Sequence, residues 1–531
     1  MAVYELTESF EPREYQKVIA KAAAEKNTLV VLPTGMGKTL IAVMAGIERL
    51  KKYPGSKILI TSPTRPLNAQ HKRSFEESTN APKDEIVLIT GKFTPSQRGR
   101  LYKDATVIAA TPQCIMNDLK SGRLSLADFS FVIIDEAHRA VQGYAYTYVA
   151  KKYMLQAEHP LILGLTASPG ATPQKIREIC DNLFIKAVEV RSETDGDVRP
   201  YVKDIEREWA YVELPEGFKK IKDLLAERLK ESVWWLKEHH YIYTYKPSKS
   251  MLLAVQARVG AGYSRGSKSF GNIWAMIRAA EAIKLEHAIE LLETQGIPFL
   301  HDYFEKMQAS KKRTDQRLVK DERVQRAIEI IETLHAEGVE HPKLAKMKDI
   351  VKDFVTKRGS DRPNVKIIVF ANYRATVKKI KSMLDDEGIS AKEFIGQANK
   401  EGKGLKQEEQ IRILHEFRNG KFNVLVSTSV GEEGLDVPAV DYAIFYEPVP
   451  SAIRTIQRRG RVGRQMAGKV IFMITKGTRD EAYYWAAFHK EKRMKGILYD
   501  LQRGKKLDKK KTLLDWTKED KEDEENKQTS G

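Results

Sequence analysis

Cysteine is nearly absent. Cys114 and Cys180 are the only two in 531 residues, and they lie far apart. They offer neither a disulfide framework nor a cysteine metal cluster, and they fit a reducing interior. No run of about 18 apolar residues occurs, so no membrane span is expected. The opening residues, MAVYELTESFEPREY, lack the basic-then-apolar order of a secretory signal. The expected compartment is therefore the cytoplasm. A third scarcity is local: from His239 to Ala280 there is no acidic residue at all.

What is present is charge and length. Hydrophobic residues make up 42% and charged residues 31%, the balance of a globular chain. The length suggests three or four domains. The net charge of +18 and a pI near 9.4 suit a polyanionic partner, nucleic acid above all, although a lysine-rich solvated surface would give the same sum.

Short β-branched runs alternate with helix-length segments: TLVVL (28–32), KILIT (57–61), IVLIT (86–90), TVIAA (106–110), FVIID (131–135) and LILGLTA (161–167). The pattern returns in KIIVFAN (366–372), FNVLVST (422–428), YAIFYE (442–447) and KVIFMIT (469–475). Such runs predict two α/β domains with parallel sheets covered by helices on both faces. Between them, FKKIKDLLAERLKESVWWLKEH (218–239) and IRAAEAIKLEHAIELLETQG (277–296) have helical periodicity. The expected division is 1–204 for the first α/β domain, 205–340 for a helical insertion and 341–495 for the second α/β domain. Residues 496–531, running through QRGKKLDKKK to KEDKEDEEN, form a charged tail expected to be partly disordered.

TLVVL runs directly into Pro33, Thr34, Gly35, Met36, Gly37, Lys38 and Thr39, and a helical pattern follows. A strand, a glycine loop and a helix N-terminus make a phosphate cradle, because backbone N–H groups and the helix dipole face the anion. Lys38 would reach the β- and γ-phosphates, and Thr39 would hold Mg²⁺. Leu32 stands where the strict loop pattern has a small residue. FVIID supplies Asp135, Glu136, Ala137 and His138. Consecutive carboxylates ending a buried strand are costly to bury unpaired, and a metal explains them. Asp135 would bind Mg²⁺, and Glu136 would orient or deprotonate the attacking water. For His138, a satisfied surface histidine is the plain expectation.

The order PTGMGKT, SPTRP, ATPQ, DEAH, TASPG, VGEEGLDVP and QRRGRVGR resembles the superfamily 2 helicases, over about residues 10–495. The resemblance implies two RecA-like domains with ATP and Mg²⁺ in the cleft between them. It implies that Gln16 contacts the adenine, that Arg461 and Arg464 are arginine fingers on the γ-phosphate, and that Gln457 couples to the nucleotide. Gly431, Glu433, Gly434 and Asp436 resemble the motif that links the ATP and nucleic-acid sites. Thr64, Arg65, Thr111 and Gln113 would meet phosphates from the first domain. Asn372, Tyr373, Arg374, Gly396 and Gln397 would do so from the second.

The acid-free stretch adds Lys246, Lys249, Arg258, Arg265, Lys268 and Arg278, with Tyr241, Tyr243, Tyr245, Tyr263, Phe270 and Trp274 among them. Bases stack on aromatics while cations track the backbone. Taken one by one, these aromatics read better as core. A second basic run, KKRTDQRLVKDERVQR (311–326), is expected to meet duplex phosphates.

The helical insert after TASPG, the phrase VRPYVK (198–203) and EPVPSAIRTIQRRGR together resemble the archaeal Hef helicases, relatives of the Fanconi anaemia group M translocase. That likeness implies inchworm-like, ATP-driven remodelling of branched DNA at stalled forks and four-way junctions, and hence association with the nucleoid. Two other readings compete: a double-stranded-RNA-activated ATPase, and a clamp that uses ATP only to close. No GD…ERK…D nuclease pattern is present, so nuclease activity is not expected. KKTLLDW (510–516) faintly resembles a sliding-clamp peptide, with Leu513 and Trp516 as anchors.

Overall fold

The structure is a computed structural model. It describes residues 4–8, 10–141, 143–201, 206–264, 269–358, 365–396, 405, 407–428, 438, 440–448 and 468–504.

The first sheet has seven strands: Thr28–Val31 (β1), Lys57–Thr61 (β2), Ile86–Ile89 (β3), Val107–Ala110 (β4), Phe129–Asp135 (β5), Ile162–Thr166 (β6) and Ala187–Val190 (β7). Their order is β3-β4-β2-β5-β6-β1-β7, and every pairing is parallel. All residues of β1, β4 and β6 are buried. Leu29 and Val31 enter one hydrophobic core while Val30 enters the other. Burial on both faces is why these strands read as unbroken apolar runs rather than as an alternation.

The second sheet has six strands: Glu206–Val212 (β8), Ile367–Phe370 (β9), Ala391–Phe394 (β10), Val424–Ser427 (β11), Tyr442–Phe445 (β12) and Lys469–Thr475 (β13). Its order is β10-β11-β9-β12-β13-β8, again wholly parallel. Residues 206–212, grouped with the insertion from sequence, are thus an edge strand of this sheet, in register with β13 from Glu206–Lys469 to Val212–Thr475. Helix Pro342–Arg358 packs Leu344, Met347 and Val351 into the core of the same sheet.

Between β8 and that helix stands a bundle of helices, among them Glu216–Glu238, Lys249–Ser264, Phe270–Thr294, Ile297–Gln308 and Glu322–Ala336. It has two apolar cores. One gathers Phe218, Leu225, Leu292 and Phe304; the other gathers Val233, Leu236, Leu252 and Ala279. Buried ions lie between them in sequence on both long helices: Arg228 bonds Glu281 at 2.8 Å, and Arg278 bonds Glu281 at 3.1 Å. Arg317 joins Glu281 at 3.0 Å, and Arg323 joins Glu231 at 2.7 Å. These two arginines belong to the basic run 311–326. Both are only partly exposed and spend charge on bundle carboxylates, whereas Lys311, Lys312, Arg313, Lys320 and Arg326 of the same run are exposed.

The C-terminal helix, Arg479–Gln502, joins the two halves. Its Tyr484 stacks edge-on against Phe472 of β13, while Met494, Ile497 and Leu498 enter the core of the first sheet. Residues 496–502, placed in the charged tail from sequence, therefore continue a packed helix. Residues 505–531, including KKTLLDW, lie outside the described residues. None of the described helices is long and apolar enough to cross a membrane.

A tight joint connects bundle and second sheet at Gly296. A Cβ there would lie 2.9 Å from the Cβ of His341, and its φ of +89° is itself glycine-like. The His341 ring donates from Nε2 to the Glu293 carbonyl at 2.9 Å and accepts at Nδ1 from the Lys343 amide at 3.2 Å. Only the neutral ring can do both. Burial, with the Lys343 charge beside it, pushes its pKa from 6.5 down to about 3. The unfolded chain thus binds a proton that the native state refuses, and stability is lost as pH falls through this window. We expect His341→Leu to be less stable near neutrality yet to lose less stability between pH 6.5 and about 4 than the wild type. Parallel pH–stability curves from thermal melts would contradict this.

A candidate nucleotide site at three adjacent strand ends

Parallel strands deliver their following loops to one face, and there the sequence motifs meet. Strands β5, β6 and β1 are neighbours, so Asp135–Glu136, Thr166–Ser168 and the 33–38 loop stand side by side. The loop turns on Gly35 and Gly37, with φ of +84° and +74°. Gly37 caps helix Lys38–Lys52. A Cβ on Gly37 would lie 2.2 Å from Gln16 Nε2, so both backbone angle and close approach require glycine. Gln16 and Tyr15 donate to the Met36 carbonyl at 3.2 and 2.9 Å, tying helix Glu14–Glu25 to the loop. Lys38 Nζ folds onto the Leu32 and Pro33 carbonyls at 2.8 and 3.1 Å.

Asp135 ends β5. One oxygen accepts from the Glu136 amide at 2.9 Å, and the other meets His71 Nε2 at 2.9 Å. Burial raises its pKa, but the His71 bond and the nearby charges of His71 and Lys38 more than offset this, holding the carboxyl below its ordinary range. Tyr146, fully buried, donates to the Asp135 carbonyl at 2.6 Å. Glu136 has φ +52° and ψ +47°, a strained setting for a side chain with a Cβ. His138 is buried rather than on the surface. Its Nδ1 lies 3.2 Å from Thr166 Oγ1 and 3.2 Å from Glu136.

The fit to a triphosphate and Mg²⁺ can be judged from atoms left over. Thr34 Oγ1 and His71 Nδ1 are buried without a hydrogen-bond partner among the described residues, while Glu136 Oε2 faces the His138 ring at 3.2 Å. With a depressed carboxylate, a folded-back lysine and a helix N-terminus around them, these donors and acceptors suit a bound anion and its cation.

The neighbouring strand ends carry the proposed phosphate contacts. Thr64 caps helix Arg65–Ser78 after β2, and Thr111 caps helix Pro112–Lys120, which holds Gln113, after β4. On the second sheet, Arg374 is exposed and donates to the Gly396 carbonyl at 3.3 Å, joining two motifs the sequence kept apart. At the far end of the bundle Tyr243, Tyr245 and Phe270 are 83%, 54% and 75% exposed. Arg258 is also exposed there and bonds the Tyr241 carbonyl at 3.1 Å. Tyr241 and Trp274 behave instead as packing residues: Tyr241 bonds Asn272, and Trp274 lies between Arg278 and Arg317. Arg278, counted among the free cations of the acid-free stretch, is paired with Glu231 and Glu281. Arg265, Lys268, Gln397, Gly431, Glu433, Gly434, Asp436, Gln457, Arg461 and Arg464 lie outside the described residues.

Sequence reasoning missed His71. It sits in helix Arg65–Ser78, seven residues beyond Thr64, and its only signal was a lone histidine in a helical pattern.

Three family models match this chain: "DEAD/DEAH box helicase" over 13–176, "Helicase conserved C-terminal domain" over 343–466, and "Putative ATP-dependent RNA helicase, helical bundle" over 217–340. The crystal structure of the Pyrococcus furiosus Hef helicase domain superposes with a TM-score of 0.71 at 48% identity, covering 90% of this chain and 98% of that one. "Putative ATP-dependent RNA helicase MJ1505" of Methanocaldococcus jannaschii is 44% identical over 93% of this chain and 61% of its own length. The ATP-dependent DNA helicase MPH1 of Pyricularia oryzae is 32% identical over 91% of this chain and 45% of its own. The chain thus spans less than two thirds of the length of these curated relatives. Together, the two parallel sheets, the bundle between them and the motifs at their strand ends show that the chain belongs to the Hef and Fanconi anaemia group M family of superfamily 2 helicases.

Proposed function

We propose that the chain is an ATP-driven DNA translocase that remodels forks and four-way junctions. The observation that carries this reading is the row of motifs on β5, β6 and β1, in which Thr166 meets both His138 at 3.2 Å and the Leu32 amide at 3.1 Å. Lys38, now on its two loop carbonyls, would meet the β- and γ-phosphates, and Thr39 and Asp135 would hold Mg²⁺. The ion, when bound, neutralises charge on the phosphates. Glu136 orients the attacking water, and Gln16 reads the adenine. Arg461 and Arg464 would complete the cleft as fingers, and Gln457 would couple to the nucleotide; their support is the motif resemblance. Thr64, Arg65, Thr111, Gln113, Arg374 and Gln397 track the strand backbone. Arg258, Arg265 and Lys268, with the exposed tip aromatics, grip the branch. DNA binding would place the protein at the nucleoid. KKTLLDW would take a sliding clamp, supported by its two apolar anchors.

The names of the relatives divide between DNA and RNA helicases, so the substrate test has both arms. ATP turnover and product formation should be followed with fork, junction and plain duplex, each as matched DNA and RNA. Preference for branched DNA is expected; equal or better stimulation by RNA duplex would reject the DNA assignment.

Lys38→Ala should lower DNA-stimulated ATPase by at least about a hundredfold while DNA binding persists, since a phosphate-stabilising cation acts mainly on the transition state. Undiminished turnover would contradict the site. His71→Ala should raise the Mg²⁺ concentration needed for half-maximal turnover by roughly tenfold, because the imidazole that orients the Asp135 carboxylate is removed. Substituting both Tyr243 and Phe270 by alanine should weaken fork binding by about tenfold, in line with lost stacking, and leave plain-duplex binding nearly unchanged.

A further inference from the structure

The helical bundle is fastened to the second sheet by a buried polar joint that the proposed chemistry does not use. Glu447 follows β12 and is 1% exposed. One of its oxygens accepts from the Asn372 amide at 2.5 Å, and the other accepts from the Gln295 side chain. Gln295 caps the bundle's long helix Phe270–Thr294, and its own oxygen accepts from Thr376 Oγ1 on the helix that Arg374 begins. Thr376 is buried as well. Around this core, Lys343 donates to the Tyr446 carbonyl at 3.1 Å and pairs with Asp480. Lys222 of the bundle donates to the Gly477 carbonyl at 2.8 Å and pairs with Glu293 at 2.7 Å.

If Glu447 only filled space, an apolar side chain would serve at lower cost, since burying a carboxylate is unfavourable. Burial indeed raises its pKa to about 7, despite the opposing pull of Lys343, the Asn372 amide and Gln295. What it achieves geometrically is specific. It clamps the backbone at Asn372, two residues before the exposed Arg374, and makes that clamp depend on a residue of the bundle.

We propose that Glu447 and Gln295 are positioning residues for the nucleic-acid loop of the second sheet. Through them the bundle holds the backbone at Asn372, and hence Arg374, where Arg374 can take a phosphate. Bundle and loop then meet nucleic acid as one body. This rests on the reading of Arg374 as a nucleic-acid contact, and the controls separate the two ideas.

The test is ATPase turnover of the full chain against concentration of a forked DNA oligonucleotide, for Glu447→Ala, Glu447→Gln, Gln295→Leu and Arg374→Ala. Gln295→Leu and Glu447→Ala should each raise the half-stimulating DNA concentration about five- to tenfold, roughly the worth of one hydrogen bond. Turnover at saturating DNA should stay within about twofold of wild type. Glu447→Gln should largely restore the wild-type value, because its carbonyl still accepts from Asn372 and the Gln295 amide can turn over. The double change Glu447→Ala with Gln295→Leu should be no worse than Glu447→Ala alone. Should Glu447→Ala melt before assay, Gln295→Leu decides, since it leaves the Glu447–Asn372 bond intact. An unchanged half-stimulating concentration in Gln295→Leu overturns the proposal. So does a loss confined to saturated turnover, which would place Glu447 in service of the nucleotide cleft. If Arg374→Ala raises the concentration while the joint variants do not, only the positioning role falls. If Arg374→Ala is also silent, the nucleic-acid reading of the loop falls with it.

Discussion

A polyphosphate can be gripped by backbone amides only where no side chain stands in the way, and this constraint organises the first sheet. It demands left-handed turns at Gly35 and Gly37, and it lets Gln16 come against Gly37 where any Cβ would collide. It also demands a helix N-terminus directly after a buried strand, which β1 and helix Lys38–Lys52 provide. Once β1 is fixed, its neighbour β6 brings Thr166, and the next strand, β5, brings Asp135 to the same face.

The same face runs on, through β2 and β4, to the loops proposed to hold a nucleic-acid strand. His71 makes the connection physical. Its helix begins at Arg65 beside the proposed phosphate contact and places an imidazole on the carboxylate proposed for Mg²⁺. His138 makes the second connection, to Thr166. Two residues on, Ser168 donates to Met494 of the C-terminal helix at 2.9 Å, and that helix starts on the second sheet. A shift of the second sheet therefore has a covalent and packed route to the β6 loop.

The interior strands were legible because burial on both faces writes an unbroken apolar run. The strands that escaped reading are β7 (AVEV), β8 (EREWAYV) and β10 (AKEF). All three are sheet edges, and each carries charge, as edges do when unwanted pairing must be discouraged. For β8 there was a further obstacle: its partner β13 lies beyond the whole bundle in sequence, so no local pattern could join them. The phosphate loop and the DEAH acids were legible because their chemistry is compact in sequence. His71 was not, because its partner Asp135 is 64 residues away. Glu447 ends an apolar strand region much as Asp135 does, and the cost of burying an acid there was a signal in plain view.

The net charge of +18 says less about where nucleic acid sits than its size suggests. In the bundle, Arg228, Arg278, Arg317 and Arg323 all answer buried or half-buried carboxylates. What remains exposed in the bundle includes Arg258 and the aromatics at the tip, and Lys311, Lys312, Arg313, Lys320 and Arg326 of the basic run, all well separated in sequence from the phosphate contacts on the sheets. Contacts to phosphate hold a strand without reading its sequence or its branching. On the proposed reading, preference for a fork over a duplex must then come from the distance and angle between two grips, one at the strand ends and one at the tip. A loose bundle would average over that geometry and lose the distinction. On the same proposal, the buried joint of Gln295, Glu447 and His341 would hold that angle, since its hydrogen bonds tie the bundle to the second sheet.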